Sequence, residues 1–563
     1  MMLTRSRAFV VSRLSAENGV LLAAGGILLV LSLYPASIIL RKSVIGAGGE
    51  LSLAHFFAAF TDDFILYEPL WNSLQLSSIA TILALLMAYP LAFLVSRTDM
   101  PLRRIIATLL IGPYIVPSYA LSMAWVLLFS TNGIFENLFG IISPIPPYGF
   151  WPVVFVTSVH LFPFAFILLA NAMASLNPEL FEAARIHGGR RWYVLCRVSI
   201  PMLLPATLAS AVLVFAYVMA EFAPAMLLGT PEGFLVLTTQ IWSFATVYPT
   251  SFSMAAVLCL VLILVTFVFL QTNNAVLGRR RFTTIGGNLA QPERVTLGKW
   301  RYAAFGYCIL FLVVTLIVPI IGILMGALHD LWGKGWGPSN WTLRNFVDLW
   351  EDRTYMQSIF NVVMLGFIAG FLAVMLGAVI SYFIMRGSKR VSGFLEAVSF
   401  VPFIMPGVVI GVGLILGFSR PPLALYGTIW ILVVGYVIRF LPLVVSSCKT
   451  AIGQIDEQLE EASRIFGATW LKAQAKILLP LLRSPLLGAV LLVFVSVMKE
   501  VSMASLVWSP GGAEVAPVLA LIAFADGQLQ EAVTLSFVMV VLVILGTFVA
   551  VRLGAVKFVQ VGD

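Results

Sequence analysis

Long apolar runs alternate with short polar connections from one end of the chain to the other. Their lengths predict twelve helical spans, near 20–40, 71–96, 105–129, 151–174, 203–229, 250–271, 303–328, 357–385, 394–418, 424–448, 484–508 and 532–552. An apolar helix of about 20 residues crosses a bilayer core, and lipid obliges every backbone polar group to find its partner within its own segment. Val20–Leu40 and Ala303–Leu328 contain no charge at all. Short strands of alternating polarity, which would suggest an outer-membrane barrel, are absent. The expected fold is all-α, a polytopic membrane protein with about 12 transmembrane helices.

The spans fall into two copies of a six-helix unit. Asn72, Arg97, Pro113 and Pro117 recur as Asn361, Arg386, Pro402 and Pro406, an offset of 289. His160, Pro163 and Glu221 correspond to Arg439, Pro442 and Glu500 at an offset of 279. The lost ten residues fall in a connection between the third and fourth spans, where exposed loops tolerate insertion. An even number of spans per copy gives both copies the same orientation, with a pathway expected between them. The expected organisation is 1–19 N-terminus, 20–69 first helix and outer loop, 70–272 first unit, and 273–302 linker. It continues with 303–356 seventh helix and outer loop, 357–553 second unit, and 554–563 C-terminus.

Composition agrees with a lipid-solvated chain: 60% of the 563 residues are hydrophobic and 11% charged, and mean hydropathy is +1.00. Soluble domains carry about 25% charged residues. The net charge of +8 reports topology and not a nucleic-acid ligand, because Lys and Arg collect in alternate connections. Arg97, Arg103 and Arg104, the segment Arg185–Arg197, and the linker around Arg279–Arg281 lie on one side. The positive-inside rule makes that side, and both termini, cytoplasmic. The apolar run from Val20 is long and lacks a cleavage site, so it is expected to be a retained helix and not a signal peptide. Cys196, Cys259, Cys308 and Cys448 stand singly, a spacing that suits neither a disulfide framework nor a zinc site.

Two polar connections repeat each other. EAARIHGGRRWYVLCRVSIP (Glu182–Pro201) and EASRIFGATWLKAQAKILLP (Glu461–Pro480) share Glu-Ala-Ala/Ser, a Gly six residues on and a Pro nineteen on. Each reads as a short capped helix ended by Gly, with small residues that let another protein surface approach. Glu182, Ala183, Ala184, Gly188, Val198, Ile200 and Pro201 in the first copy, and Glu461, Ala462, Ser463, Gly467, Ile477, Leu479 and Pro480 in the second, make the chain resemble the membrane subunits of type I ABC importers. Their signature is EAA-x3-G-x9-I-x-L-P; Ser463 stands for Ala, and Val198 and Ile200 for Ile and Leu. The resemblance implies two type I ABC permease units in a bacterial inner membrane. It also implies coupling helices that dock on two cytoplasmic ABC ATPase subunits, and a periplasmic substrate-binding protein. ATP and Mg would be used by the partner ATPases, with no cofactor held by this chain. RFLP at Arg439–Pro442, QIDEQLEEASRIFGATW and the Lys-Glu pair before SPG look like the fused iron(III) permeases. Fused permeases for thiamine, phosphonates and polyamines share that appearance.

The chain shows no phosphate-binding G-x-x-x-x-G-K-[ST] loop and no metal-ligand or nucleophile arrangement among its four histidines. It is therefore not an enzyme by itself, and its energy source is a partner ATPase or, on a second reading, an ion gradient. His160, Glu221, Arg439, Lys499 and Glu500 fall inside spans, where a charge costs about 2.5–3.5 kcal/mol on insertion scales. Each basic residue is expected to pair with the acid of its own half, with Lys499 a further partner in the second. These charges either lock helix packing or line the pathway and its gate. Asn72 and Asn361 are further candidates for the pathway, or else bond neighbouring helices. The outer segments 41–69, 131–149, 329–353 and 510–530 are candidate docking surfaces for a binding protein.

Overall fold

The computed structural model describes the chain apart from residues 1, 47–48, 177–196, 198–199, 279–293, 333, 422 and 554–563, and without the side chains of 2–16 and 272–278. The first half comprises α1 (Met2–Ser43), α2 (Ala54–Thr61), α3 (Glu68–Arg97), α4 (Arg103–Leu109), α5 (Gly112–Ile115), α6 (Ser118–Phe129), α7 (Ile134–Phe139), α8 (Phe150–Ala174), α9 (Ile200–Ala220), α10 (Leu237–Thr246) and α11 (Phe252–Gly278). The second comprises α12 (Trp300–Leu312), α13 (Val318–Ala327), α14 (Arg344–Glu351), α15 (Arg353–Arg386), α16 (Lys389–Ile404), α17 (Gly407–Phe418), α18 (Ile429–Gly453), α19 (Gln458–Ile465), α20 (Trp470–Ala473), α21 (Leu479–Val497), α22 (Ala504–Val507), α23 (Ala516–Ala525) and α24 (Leu529–Arg552). No strand occurs among the described residues, only isolated bridges. Eleven described helices are long and apolar enough to cross a membrane, and the bent pair α16–α17 makes a twelfth when counted as one span.

The halves embrace. Pro35 and Ile39 of α1 pack on Gly413 of α17, and the Tyr34 hydroxyl donates to the Gly417 carbonyl at 3.0 Å. Reciprocally, Gly326 of α13 seats Leu127 of α6. The first span of each half thus closes over the third span of the other, which buries apolar surface that neither half covers alone.

Four expected spans are corrected. The segment 105–129 is not one helix: Val116 turns extended (φ −67°, ψ 128°) before Pro117, separating α5 from α6. In the second half the same proline pattern bends α16 against α17 by 102°. Proline lacks an N–H and disfavours helix in the residue before it. The expected helices 203–229 and 484–508 likewise stop early, at Ala220 and Val497. The chain beyond folds into short buried helices, including α10 and α23. Residues 510–530 are therefore not an open docking loop, since α23 buries Ala516–Leu521, Ala523 and Phe524.

The same latch closes both halves on the side of the repeated motif. Arg97 Nη1 donates to the Leu176 carbonyl at 3.2 Å, and Arg386 Nη2 donates to the Ile455 carbonyl at 2.8 Å. These acceptors sit at the ends of α8 and α18, where helix carbonyls lack partners within the helix. On the other side, Asn72 donates to the Leu235 carbonyl and Asn361 to the Glu514 carbonyl, each at 2.9 Å. Each asparagine thereby fixes the strand-like entry to α10 or α23. Both bonds lie within a half and run from a membrane span to the non-helical segment ahead of a short helix.

Candidate functional site

The prolines that break the third span also create the centre of the molecule. In an unbroken helix the Pro113 carbonyl would accept from residue 117, but Pro117 has no N–H to give. His160 Nδ1 donates to it at 3.2 Å. The next carbonyl, of Tyr114, is freed by the extended turn at Val116, and Lys499 Nζ donates to it at 2.7 Å. The same ammonium lies 3.3 Å from the centroid of the Tyr114 ring. Lys499 belongs to the second half and Tyr114 to the first, so this contact crosses between them.

These positions correct two expected pairings. His160 does not pair with Glu221; it is occupied by the orphaned Pro113 carbonyl and stacks beside Tyr114 with ring centroids 5.4 Å apart. Lys499 is not simply a second partner for Glu500; it reaches into the other half. Arg439 Nε lies 3.5 Å from Glu500 Oε1, within the second half.

Glu221 and Glu500 are equivalent by position but not by surroundings, for a reason visible in the residues that follow them. The backbone N–H groups of Met503 and Ala504 donate to Glu500 Oε1 at 2.8 Å and Oε2 at 3.2 Å. The position equivalent to Met503 is Pro224, which has no N–H to offer. The Glu221 carboxylate instead accepts from Ser118 Oγ at 2.7 Å, and its backbone carbonyl accepts from Thr238 Oγ1 at 2.9 Å. The Arg439–Glu500 pair, Lys499 on Tyr114 and Glu221 on Ser118 make up one polar cluster at the boundary of the halves, and ion pairing lowers the cost of keeping Arg439 and Glu500 out of water.

An aromatic wall continues from the cluster. Phe164 packs on Tyr114 and stacks on Tyr217 with centroids 4.6 Å apart in each case, and Tyr217 meets Phe403 across the boundary at 6.4 Å. Tyr114 and Tyr217 had no signal in the repeat, because their equivalents are Phe403 and Ser496. Position next to Pro113 was the one clue to Tyr114.

The repeated motif is described in its second copy. Glu182, Ala183, Ala184 and Gly188 lie outside the described residues, whereas Pro201 opens the second position of α9. Around α19, Glu461, Ala462 and Gly467 are exposed and Ser463 is half-buried, and Ile465 and Phe466 project with 83% and 91% of their surface free. Gly467 takes φ +88°, the left-handed value that lets a helix end abruptly. Pro480 lies in the first turn of α21.

A side chain that the motif did not single out holds this helix in place. Glu460 is buried, pairs with Arg386 Nε at 3.2 Å, and accepts from the Tyr382 hydroxyl at 3.2 Å. Trp470 Nε1 donates to the same Tyr382 oxygen at 3.1 Å. The network ties α19 to α15 and α20. Tyr382→Phe should cost about 1–2 kcal/mol through the hydrogen bonds it removes. The expected sign is faster amide exchange confined to Gln458–Ile465.

Residues 80–278 and 363–556 each match the family described as binding-protein-dependent transport system inner membrane component. The chain belongs to that family. It carries the family unit twice, and both copies of the repeated motif fall inside the matched segments. It is a multi-pass membrane transport subunit, not an enzyme. FbpB 1 of Haemophilus influenzae, assigned as a ferric transport system permease protein, is 27% identical over 77% of this chain and 68% of its own length. The ferric transport system permease protein FbpB of Actinobacillus pleuropneumoniae is 26% identical over 69% of this chain and 57% of its own length. This chain therefore spans roughly three-fifths to two-thirds of those relatives. The spermidine/putrescine transport system permease protein PotB of Haemophilus influenzae is 30% identical over 37% of this chain and 77% of its own length. Among the described residues no group of three or more His, Cys, Asp and Glu side chains gathers that could hold a metal ion.

Proposed function

We propose that this chain is the translocation subunit of an ATP-driven importer for iron(III), placed in a bacterial inner membrane with both termini cytoplasmic. The observation that carries the reading is the doubled family unit, with a motif helix that leaves Ile465 and Phe466 uncovered on the basic side of the chain. Apolar side chains so exposed outside a span suit a protein partner. Two cytoplasmic ABC ATPases would take the motifs at Glu182–Gly188 and Glu461–Gly467, use ATP and Mg, and move the halves. A periplasmic binding protein would deliver the cargo, with residues 131–149 among the surfaces open to it. Iron(III) as cargo rests on the ferric assignments of the FbpB relatives.

Burial around the cluster supports a pathway sealed outside and open inside. Beyond the two glutamates, Phe222 and Ala223 are 0% exposed, and Val501 and Met503 are equally enclosed. On the motif side, Phe403 and Leu443 keep 41% and 39% of their surface, although Phe403 faces Tyr217 of the other half. On this reading, space would open below the charges and not above them. Glu221, Glu500, Lys499, His160 and Arg439 would form the roof of that space. Asn72 and Asn361 would steady the plugging segments.

The test is transport by the chain reconstituted in proteoliposomes with a candidate ABC ATPase and a candidate iron-binding protein. Uptake of radioactive iron(III) should require ATP, and cysteine at Ile465 or Phe466 should crosslink to the ATPase. Iron-loaded binding protein should stimulate hydrolysis, whereas thiamine, phosphonate and polyamine should not be carried. Uptake without the ATPase that an uncoupler abolishes would instead indicate an ion-coupled carrier.

A further inference from the structure

The outer segments ahead of α3 and α15 were candidates for binding-protein docking, but their structure has another character. Each contains a short helix, α2 or α14, and the two begin and end at positions 290 apart. Ser52 Oγ accepts from the Ala54 N–H at 3.2 Å, and Thr342 Oγ1 accepts from the Arg344 N–H at 3.0 Å. Asp62 Oδ1 accepts from the Phe64 N–H at 2.9 Å, and Asp352 Oδ1 from the Thr354 N–H at 2.7 Å. The residue preceding each helix is a leucine with φ near −95°. The offset then falls to 289 at Asn72 and Asn361, and the extra residue of the first half is taken up by the π-helical turn Asp63–Tyr67. A wider turn holds one more residue without breaking the helix.

Both helices divide into three faces. Ala59 packs in a cluster with Met254 and Val257, whereas Leu349 is buried and Phe346 meets Phe537 of α24 at 6.1 Å. Asn345 fixes α14 further by donating to the Ala327 and His329 carbonyls at 3.0 and 2.7 Å. A second face points away from the protein and is apolar at matching positions. It comprises Leu53 with Phe57 and Phe60 of α2, and Leu343 with Val347 and Trp350 of α14, the leucines standing just ahead of each helix, with exposures of 56%, 68%, 48%, 68%, 50% and 72%. Their spacing of four and three places each set on one stripe. The third face carries Arg344, Asp348 and Glu351 in α14, with Arg344 and Asp348 paired at 3.5 Å. Its counterpart in α2 is Ala54, Ala58 and Thr61.

We infer that α2 and α14 are a symmetric pair of interfacial helices seated in the outer leaflet, and that the Leu53–Phe57–Phe60 and Leu343–Val347–Trp350 stripes lie against lipid acyl chains. Depth selects lipid as the occupant. Phe537 is eight residues into α24, about 12 Å from its outer end at 1.5 Å per residue. Met254 and Val257 are within two turns of the start of α11. That level is the boundary of headgroups and acyl chains, where amphipathic helices bury their apolar face about 5–10 Å deep. The stripes also continue onto Trp71 and Phe360, each 61% exposed on the adjoining membrane spans. Because α2 and α14 lead directly into α3 and α15, they hold the outer ends of those spans at a set height while the halves move. The matched family segments begin after both helices.

Spin labels on cysteines placed at Phe57, Val347, Ala58 and Asp348 test this in full-length protein in nanodiscs, with the four native cysteines replaced. Labels at 57 and 347 should collide several-fold more with dissolved oxygen than with a water-soluble nickel chelate, and labels at 58 and 348 should show the reverse. Equal nickel access at all four overturns the inference. So does access at 57 and 347 that is lost only when binding protein is added, since that would make the stripes a protein-docking surface. A conservative second measurement guards against misfolded variants: Trp350→Phe should remove a measurable part of the tryptophan quenching by lipids brominated near the headgroup. Unchanged quenching also overturns it.

Discussion

Glu500→Ala is expected to destabilise the protein by about 3 kcal/mol or more, the largest single effect foreseen in the cluster. The carboxylate satisfies three groups together: the Arg439 guanidinium at 3.5 Å and the Met503 and Ala504 N–H groups at 2.8 and 3.2 Å. Removing one member of a buried ion pair costs about 3–5 kcal/mol, because the surviving charge is stranded. Arg439 keeps 24% of its side chain accessible, which places the ionic part at the lower end of that range. The two N–H groups, which start the chain segment leading into α22, are buried and lose their acceptors as well. Glu500→Gln should lose less, since its amide oxygen still accepts. Thermal unfolding in detergent and the yield of assembled complex measure both. The equivalent Glu221→Ala should cost clearly less, because among the described residues its direct side-chain partner is Ser118, and a hydroxyl tolerates that loss better than a cation does. Equal losses at 221 and 500 would refute the asymmetry assigned to Pro224 and Met503.

Lys499→Met should act on coupling more than on folding. The methionine keeps the apolar stem, and no carboxylate within hydrogen-bonding distance is deprived of a partner; the ammonium's contacts are the Tyr114 carbonyl and ring. A hydrogen bond from a charged group contributes about 1.5–3 kcal/mol and a desolvated cation over a ring about 2, against which the burial of the ammonium counts. A net loss of about 2 kcal/mol from the sealed state changes its equilibrium roughly 30-fold. The expected result is a several-fold rise in ATP hydrolysis without binding protein, with little change in unfolding temperature. Distances between spin labels on the two halves should broaden in parallel. Lys499→Arg should restore part of the clamp. Unaltered basal hydrolysis in Lys499→Met would mean that the contact only packs the halves together.

Most of the architecture was legible along the chain, and the two kinds of departure have different causes. Spans and repeat follow from runs of apolar residues and recurring polar positions, and both signals survive any detail of packing. The ends of the fifth span of each half did not follow, because 203–229 and 484–508 are apolar throughout except at the charges and read as continuous. They break because the segment past each glutamate is buried among other helices, where short helices and turns find partners that lipid could not supply. The helices α10 and α23 were missed for the same reason, being too short to span and too apolar to look like loops. In the cluster, equivalence by offset identified Glu221, Glu500, His160 and Arg439 but mistook His160's partner. The Pro113 carbonyl that claims His160 is backbone, and a backbone acceptor freed by a distant proline carries no side-chain signature.

What the amino-acid order determined by itself is therefore the set of quantities that add up locally: how many apolar segments there are, that they occur twice, and which side bears the cations. The free energy of placing an apolar run in lipid, or of carrying a cation across it, depends on the run and hardly on its neighbours. Only the tertiary structure decided which polar group meets which, that Lys499 reaches the other half, and that three residues on each of α2 and α14 form an outward stripe. Those outcomes depend on what a second, distant segment places within about 3 Å, and a carbonyl released at Val116 gains its value from a lysine 385 positions away.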